Sequence, residues 1–210
     1  MKTGERTRQR ILAQALVLFN ERGTDSVSLR ELAQALGISH GNLCYHFANT
    51  DALVSALYFQ LAQRQDGLVA EAVASAAELT PSSGLAFMRA SFEVLFEYRF
   101  LMLDFVRVMR RLPEVRAHYL GLVSLRRQQF AFLLGQLRSG GWLQAEAFDG
   151  QHAHWIEQAL IMGDFWIASG EILYTGAPEN RISHYVKVFA ASLAPMLTAE
   201  GLREMGFGTT

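Results

Sequence analysis

Three times in its first 51 residues the chain starts a helix and stops it again, and this punctuation limits the possible folds most. Ile11, Leu12, Ala15, Leu16, Leu18 and Phe19 recur three and four apart, which predicts a helix from about Arg6 to Arg22, closed by Gly23 in a left-handed cap. Ser28 and Glu31 form a capping box, whose hydroxyl and carboxylate take the backbone N–H groups that a first helical turn leaves unbonded. Leu29, Leu32, Ala33 and Leu36 supply the buried stripe of that second helix. Gly37 ends it after little more than two turns. Ser39 then caps a third helix that runs only from His40 to about Phe47, because Asn49, Thr50 and Asp51 stop and restart the chain again. Three short helices with a Gly-containing turn between the second and third make a helix-turn-helix arrangement.

Beyond Ala52 the helices lengthen. The spacing predicts helices from Ala52 to about Glu78, Ser83 to Tyr98, Phe100 to Arg111, Glu114 to Arg138, Gln151 to Tyr174 and Arg181 to Glu200, with Pro195 kinking or ending the last. No stretch alternates with a period of two and no internal repeat is visible. The predicted architecture is therefore all-α: an N-terminal helix-turn-helix module over 1–51, then a larger helical body over 52–210 whose helix 52–78 links the two.

Composition narrows the function classes. Half the residues are hydrophobic and only four are Pro, which describes a packed helical globule. The longest apolar runs, such as Ala15 to Phe19, fall far short of the roughly 20 residues a membrane-spanning helix needs. The basic start MKTGERTRQR leads into an amphipathic segment that reaches Asn20, Glu21 and Arg22, unlike a signal peptide, so the expected location is cytoplasmic with no membrane partner. A single cysteine, Cys44, excludes an internal disulfide and fits a reducing compartment. Net charge is −1, with +2 on residues 1–50 and −3 on the rest, a mild bias that leaves the N-terminal end basic.

The third helix has what a reader of double-stranded DNA requires: a slim element with hydrogen-bonding side chains for base edges and a backbone able to approach phosphate. Gly41 leaves the approach near the helix start open. His40, Asn42, Tyr45 and His46 offer hydrogen-bonding groups on exposed faces, while Leu43 and Phe47, four apart, form the buried stripe. Ser28 and the helix N-terminus it caps can present backbone N–H groups to a phosphate, with Arg30 further along the exposed side.

These residues carry a specific resemblance. SLRELAQALGISHGNLCYHFANTDAL, preceded by RQRILAQALVLFNERG, resembles the N-terminal DNA-binding domain of the TetR family of bacterial transcriptional regulators over about residues 6–55. The family's LA-x-x-LG-(I/V)-S turn stands here as Leu32-Ala33 and Leu36-Gly37-Ile38-Ser39, its early glycine as Gly41, and its aromatic ending as Tyr45-His46-Phe47. Two positions depart from the pattern: Cys44 stands where the family usually has a phosphate-contacting Tyr, and Thr50 where it usually has Lys facing the DNA backbone. Thr50 can still cap the fourth helix and donate to phosphate. The expected DNA contacts are Ser28, Arg30, Ser39, His40, Gly41, Asn42, Tyr45, His46 and Thr50, with base specificity resting on His40, Asn42 and Tyr45. The two departures predict modest or salt-sensitive operator binding.

For the body, the resemblance implies an effector cavity among the middle helices and a homodimer formed by a four-helix bundle. Phe92, Phe96, Met102, Phe105, Met109, Trp155, Met162 and Trp166 are the candidate ligand contacts, since wide flexible side chains in a bundle interior suit an apolar pocket, although side chains at this spacing are first of all core. The last two helices, about 152–174 and 181–200, carry more apolar surface than one core needs: Ile182, Tyr185, Phe189 and Met196 define one stripe, and Val186, Ala190, Leu193 and Leu197 another. The dimer is placed there. Nothing forms a catalytic constellation, and neither cofactor nor metal is expected. His152 and His154, two apart on a helix, point to different faces, and Cys44 has no partner cysteine to make it a redox pair.

The sequence thus predicts a regulator, most plainly a repressor, that leaves a palindromic operator when an apolar or amphipathic small molecule tilts the helix over 52–78. An activator would carry the same sequence features. The alternative is a helical small-molecule carrier or enzyme whose DNA-binding module no longer functions, supported by the departures at Cys44 and Thr50.

Overall fold

The computed structural model of the protein describes residues 3–207; Lys2, counted among the N-terminal cations, lies outside them. Among the described residues the backbone forms eleven α-helices joined by turns, with no strand beyond an isolated bridge between Leu143 and Leu197. No helix there is long and apolar enough to cross a membrane. The chain folds as two compact units, Met1–Gln63 with Glu97–Ala117, and Arg64–Phe96 with His118–Thr210.

The first unit holds α1 (Thr3–Arg22), α2 (Leu29–Leu36), α3 (His40–His46) and the start of α4 (Thr50–Ala74). Its core takes Ile11, Leu12, Ala15 and Phe19 from α1, Leu32 and Ala33 from α2, and Leu43 and Phe47 around α3, all buried. The expected helix over 100–111 is divided at Asp104 into α6 (Arg99–Leu103) and α7 (Phe105–Arg111). Asp104 is a weak helix former whose carboxylate turns to Arg107, and the break lets Leu101 and Met102 on one side and Phe105 and Val108 on the other all be buried. Phe100 packs on Phe19 at 5.2 Å between ring centroids, Arg107 also pairs with Asp25, and Arg111 pairs with Asp51 at 2.7 Å.

The second unit contains the rest of α4, α5 (Pro81–Glu97), most of α8 (Pro113–Ser139), α9 (Gln151–Leu173), α10 (Arg181–Leu193) and α11 (Ala199–Glu204). The last predicted helix stops at Leu193, where Pro195 falls inside a short 3-10 turn, and α11 forms separately under the cap of Thr198. Aromatic rings fill the centre. Phe92 lies against Trp166 at 4.9 Å with planes only 11° apart, and Phe189 meets both Phe92 and Trp155.

Asp164, on α9, accepts a hydrogen bond from the Tyr119 hydroxyl. Burial, partly offset by that bond, pushes its carboxyl from the usual 3.8 up to about 6. A carboxyl whose folded value exceeds its unfolded one makes the folded protein hold more protons between those two values. Its ionisation therefore costs stability that is fully lost above about pH 6 and recovered as pH falls towards 4. Asp164→Asn, which keeps an acceptor for Tyr119 without the charge, is expected to raise stability at neutral pH by on the order of 2 kcal/mol. Urea denaturation across pH 4–8 should show the gain shrinking in the acid limb; a gain independent of pH would contradict a buried carboxylate as its source.

Candidate DNA-binding surface and apolar cavity

The turn that presents α3 is built entirely from local caps. Ser28, in extended conformation, accepts from the Glu31 N–H at 3.2 Å, and the Glu31 carboxylate accepts from the Ser28 N–H in return. Glu31 also pairs with Arg22 at 2.8 Å, and that bond, more than the cap, holds its carboxyl below the usual range. Gly37 adopts φ 66°, and the Ile38 N–H reaches back to the Ala33 carbonyl at 3.1 Å, a glycine-terminated helix end. Ser39 then accepts from the Asn42 N–H at 3.1 Å and opens α3. A Cβ at Gly37 would meet no neighbour, so Gly37→Ala is expected to cost about 1 kcal/mol through backbone conformation alone. The urea midpoint measures it, and a neutral substitution would mean the turn tolerates another geometry.

Buried Leu43 and Phe47 fix the inner face of α3. With about 100° per residue, Gly41, Asn42 and Tyr45 share the opposite arc, and His46 lies at its edge beside Leu43. Gly41, Asn42 and Tyr45 are exposed, Tyr45 at 85%, and His46 is half-buried with its ring edge-on to Tyr45. His40 stands apart from this group, over Cys44, whose Sγ lies 3.4 Å from its Nε2. Ser28 and Arg30 are exposed at the start of α2. Asn49, rather than Thr50, caps α4: its Oδ1 accepts from the Ala52 N–H at 2.8 Å, and Thr50 is the first helical residue. The Arg8 guanidinium lies over the Phe47 ring at 5.0 Å, bringing a cation from α1 to the end of α3.

The second unit contains a cavity with an almost wholly apolar wall drawn from α4, α5, α8, α9, α10 and the end of α11. Of the eight residues expected to contact a ligand, Trp155 lines it. Phe92, Phe96 and Trp166 are stacked together in the core, and Met162 is half-buried on α9. Met102 and Phe105 are buried and Met109 half-buried in the other unit. The cavity instead uses Pro81, Gly84, Met88, Leu134 and Met205, which helical spacing did not distinguish. The two imidazoles of α9 are engaged separately, His154 Nδ1 with the Gly150 carbonyl at 2.8 Å and His152 beside Glu146 at 3.8 Å; no cluster of potential metal ligands occurs among the described residues.

Two family models match successive parts of the chain, one ending and the next beginning within α4. Residues 11–57 match the model described as bacterial regulatory proteins, tetR family, and residues 68–205, about two thirds of the chain, match a TetR model described as bacterial transcriptional repressor. The chain belongs to the TetR family. Among TetR-family relatives it is 41% identical over 54 residues to the HTH-type transcriptional regulator AcrR of Shigella flexneri, covering 26% of this chain and 25% of that protein. It is 36% identical over 93 residues to the tetracycline repressor protein class D of Escherichia coli, covering 44% and 41%. The chain thus aligns with well under half the length of these curated relatives, and both alignments are too short to include a whole TetR-family regulator.

The fold extends throughout. A TetR-family transcriptional regulator from Marinobacter aquaeolei VT8 superimposes with a TM-score of 0.82 at 20% identity, covering 99% of this chain and 98% of that one. A transcriptional regulator from Saccharomonospora viridis, solved in complex with choline, gives 0.73 at 18%, covering 92% and 99%.

Proposed function

We propose that the protein is a cytoplasmic, homodimeric repressor that holds a palindromic operator through α2 and α3 and releases it when an apolar small molecule occupies the second unit. The observation carrying this reading is the arc of Gly41, Asn42 and Tyr45, with His46 at its edge, set opposite the buried Leu43 and Phe47, which offers polar groups on a helix narrow enough for the major groove. Ser28, Arg30, Ser39 and Thr50 supply the flanking phosphate contacts and His40 a further base contact. With no Lys or Arg on α3, few counterions are displaced there, so affinity is modest and binding fails at lower salt than a more basic helix would allow.

Dimerisation uses α9 and α10. Ile161, Phe165 and Ile172 form an exposed apolar stripe on α9, and Val188 is exposed on α10. Phe165→Glu is expected to yield monomers in sedimentation and to weaken operator binding at least about tenfold, since two half-sites are then held independently. A dimer that persists places the interface elsewhere. α4 is one helix whose residues through Gln63 belong to the first unit and from Arg64 to the second, which makes it the natural lever between effector and operator.

The direct test is retardation of the DNA upstream of the protein's own gene. Retention that survives an excess of unrelated polyanion supports the reading; retention that competitor abolishes ends it.

A further inference from the structure

One side of the cavity is bordered by a short segment with its own fastening. Met205 stands in the wall, and the preceding residue, Glu204, accepts from the Ser82 hydroxyl at 2.6 Å and from the Ser82 N–H at 3.1 Å. Ser82 follows Pro81, itself a wall residue, at the start of α5. The other end of α11 is rooted: the Thr198 N–H donates to the Trp142 carbonyl at 2.9 Å, and a Cβ at Gly201 would come within 2.6 Å of that oxygen. One end is pinned through backbone in close contact. The other is held by one carboxylate on an exposed serine.

The space behind it is small, about 70 Å³. At roughly 10–15 Å³ per water-sized group this admits about five to seven non-hydrogen atoms. The wall, including Leu134, Trp155, Phe189 and Leu193, offers nothing to solvate a charge or satisfy a hydroxyl, so an ionic or strongly hydrogen-bonding group inside would lose its hydration without replacement.

We infer that this cavity is a binding site for a small neutral hydrocarbon group, an aromatic ring or a compact chain of five or six carbons, and that Glu204 on Ser82 is the latch through which it enters. The identification of this cavity as the effector site rests on the repressor reading above; occupancy by a hydrocarbon does not. A larger effector would place such a group here and keep its polar part outside the latch.

Gly84 provides the control. It lies in the wall, on α5, and a Cβ added there meets nothing within 4 Å, so Gly84→Leu fills the space while replacing a helical glycine with a better helix former. Fluorobenzene followed by fluorine NMR is the probe, with 4-fluorobenzoate as its charged counterpart. The native protein is expected to bind fluorobenzene saturably and leave 4-fluorobenzoate free, and Gly84→Leu to abolish the binding. Glu204→Gln keeps the fold and weakens the latch, and is expected to speed exchange of bound fluorobenzene about tenfold, because a charge-assisted pair of bonds becomes neutral. Should Gly84→Leu fail to fold, Gly84→Ala is expected to weaken binding in proportion to the smaller volume it fills. Equal binding of the two probes, undiminished binding in both Gly84 variants, or unchanged exchange in Glu204→Gln would overturn the inference. The same titration repeated with operator present separates the two readings: bound fluorobenzene with the DNA complex intact sinks effector release and leaves the site standing.

Discussion

Alanine at His40, Asn42 and Tyr45 together is expected to abolish sequence-specific retention of the operator while leaving the thermal midpoint within about 2 °C of the native value. Asn42 and Tyr45 project from the exposed side of α3 and His40 from its exposed first turn, so little packing is lost; the buried side chains that hold the helix, Leu43 and Phe47, are untouched. Each good base contact contributes about 1–3 kcal/mol of discrimination, so three together lower specific affinity by roughly a thousandfold or more. Non-specific binding, carried by phosphate contacts, should change little. Fluorescence anisotropy against operator and scrambled duplex at one fixed salt concentration measures both. The single variants are not expected to be equal: Asn42 and Tyr45 share an arc, whereas His40 stands over Cys44 and should cost least. An unchanged footprint in the triple variant would remove α3 as the reading element.

Trp166→Ala is expected to be the most destabilising single substitution of these, at about 3–5 kcal/mol and roughly 10 °C in thermal midpoint. Trp166 is 2% exposed, lies nearly parallel to Phe92, and also packs on Phe96 and Tyr185. Truncation leaves a void lined by rings that cannot rotate into it without abandoning their own contacts. Trp166→Phe separates shape from volume. It preserves a stacking ring and removes an indole N–H that is buried without a hydrogen-bond partner, so its cost should stay under about 1.5 kcal/mol. Equal losses in the two variants would mean that neither the volume removed nor the ring stack decides, but the indole itself.

The helix-turn-helix could be read from residues because its determinants act within four positions of one another. Ser28 and Glu31 satisfy each other's backbone, Gly37 takes a left-handed turn, and Ser39 caps the helix that follows, all without help from distant chain. The same locality explains why Pro195 marked the end of α10. Where several local candidates compete, the sequence is less decisive: Asn49 and Thr50 are both good caps, and the geometry of the Phe47–Ala52 turn selects Asn49.

Apolar spacing, by contrast, treats Phe92, Met102, Trp155 and Trp166 alike, as side chains on the inward face of a helix. Only packing separates them, placing Trp155 at the cavity, Phe92 and Trp166 in a stack, and Met102 in the other unit. The cavity wall joins Ala72, Gly84, Leu134, Phe189 and Met205, positions scattered over more than half the chain. Whether such residues leave a gap depends on the offsets between helices, which no local pattern encodes. The caps, the turn and the all-α layout were therefore written in short-range chemistry, while the cavity and its Glu204–Ser82 fastening came into being only when distant helices met.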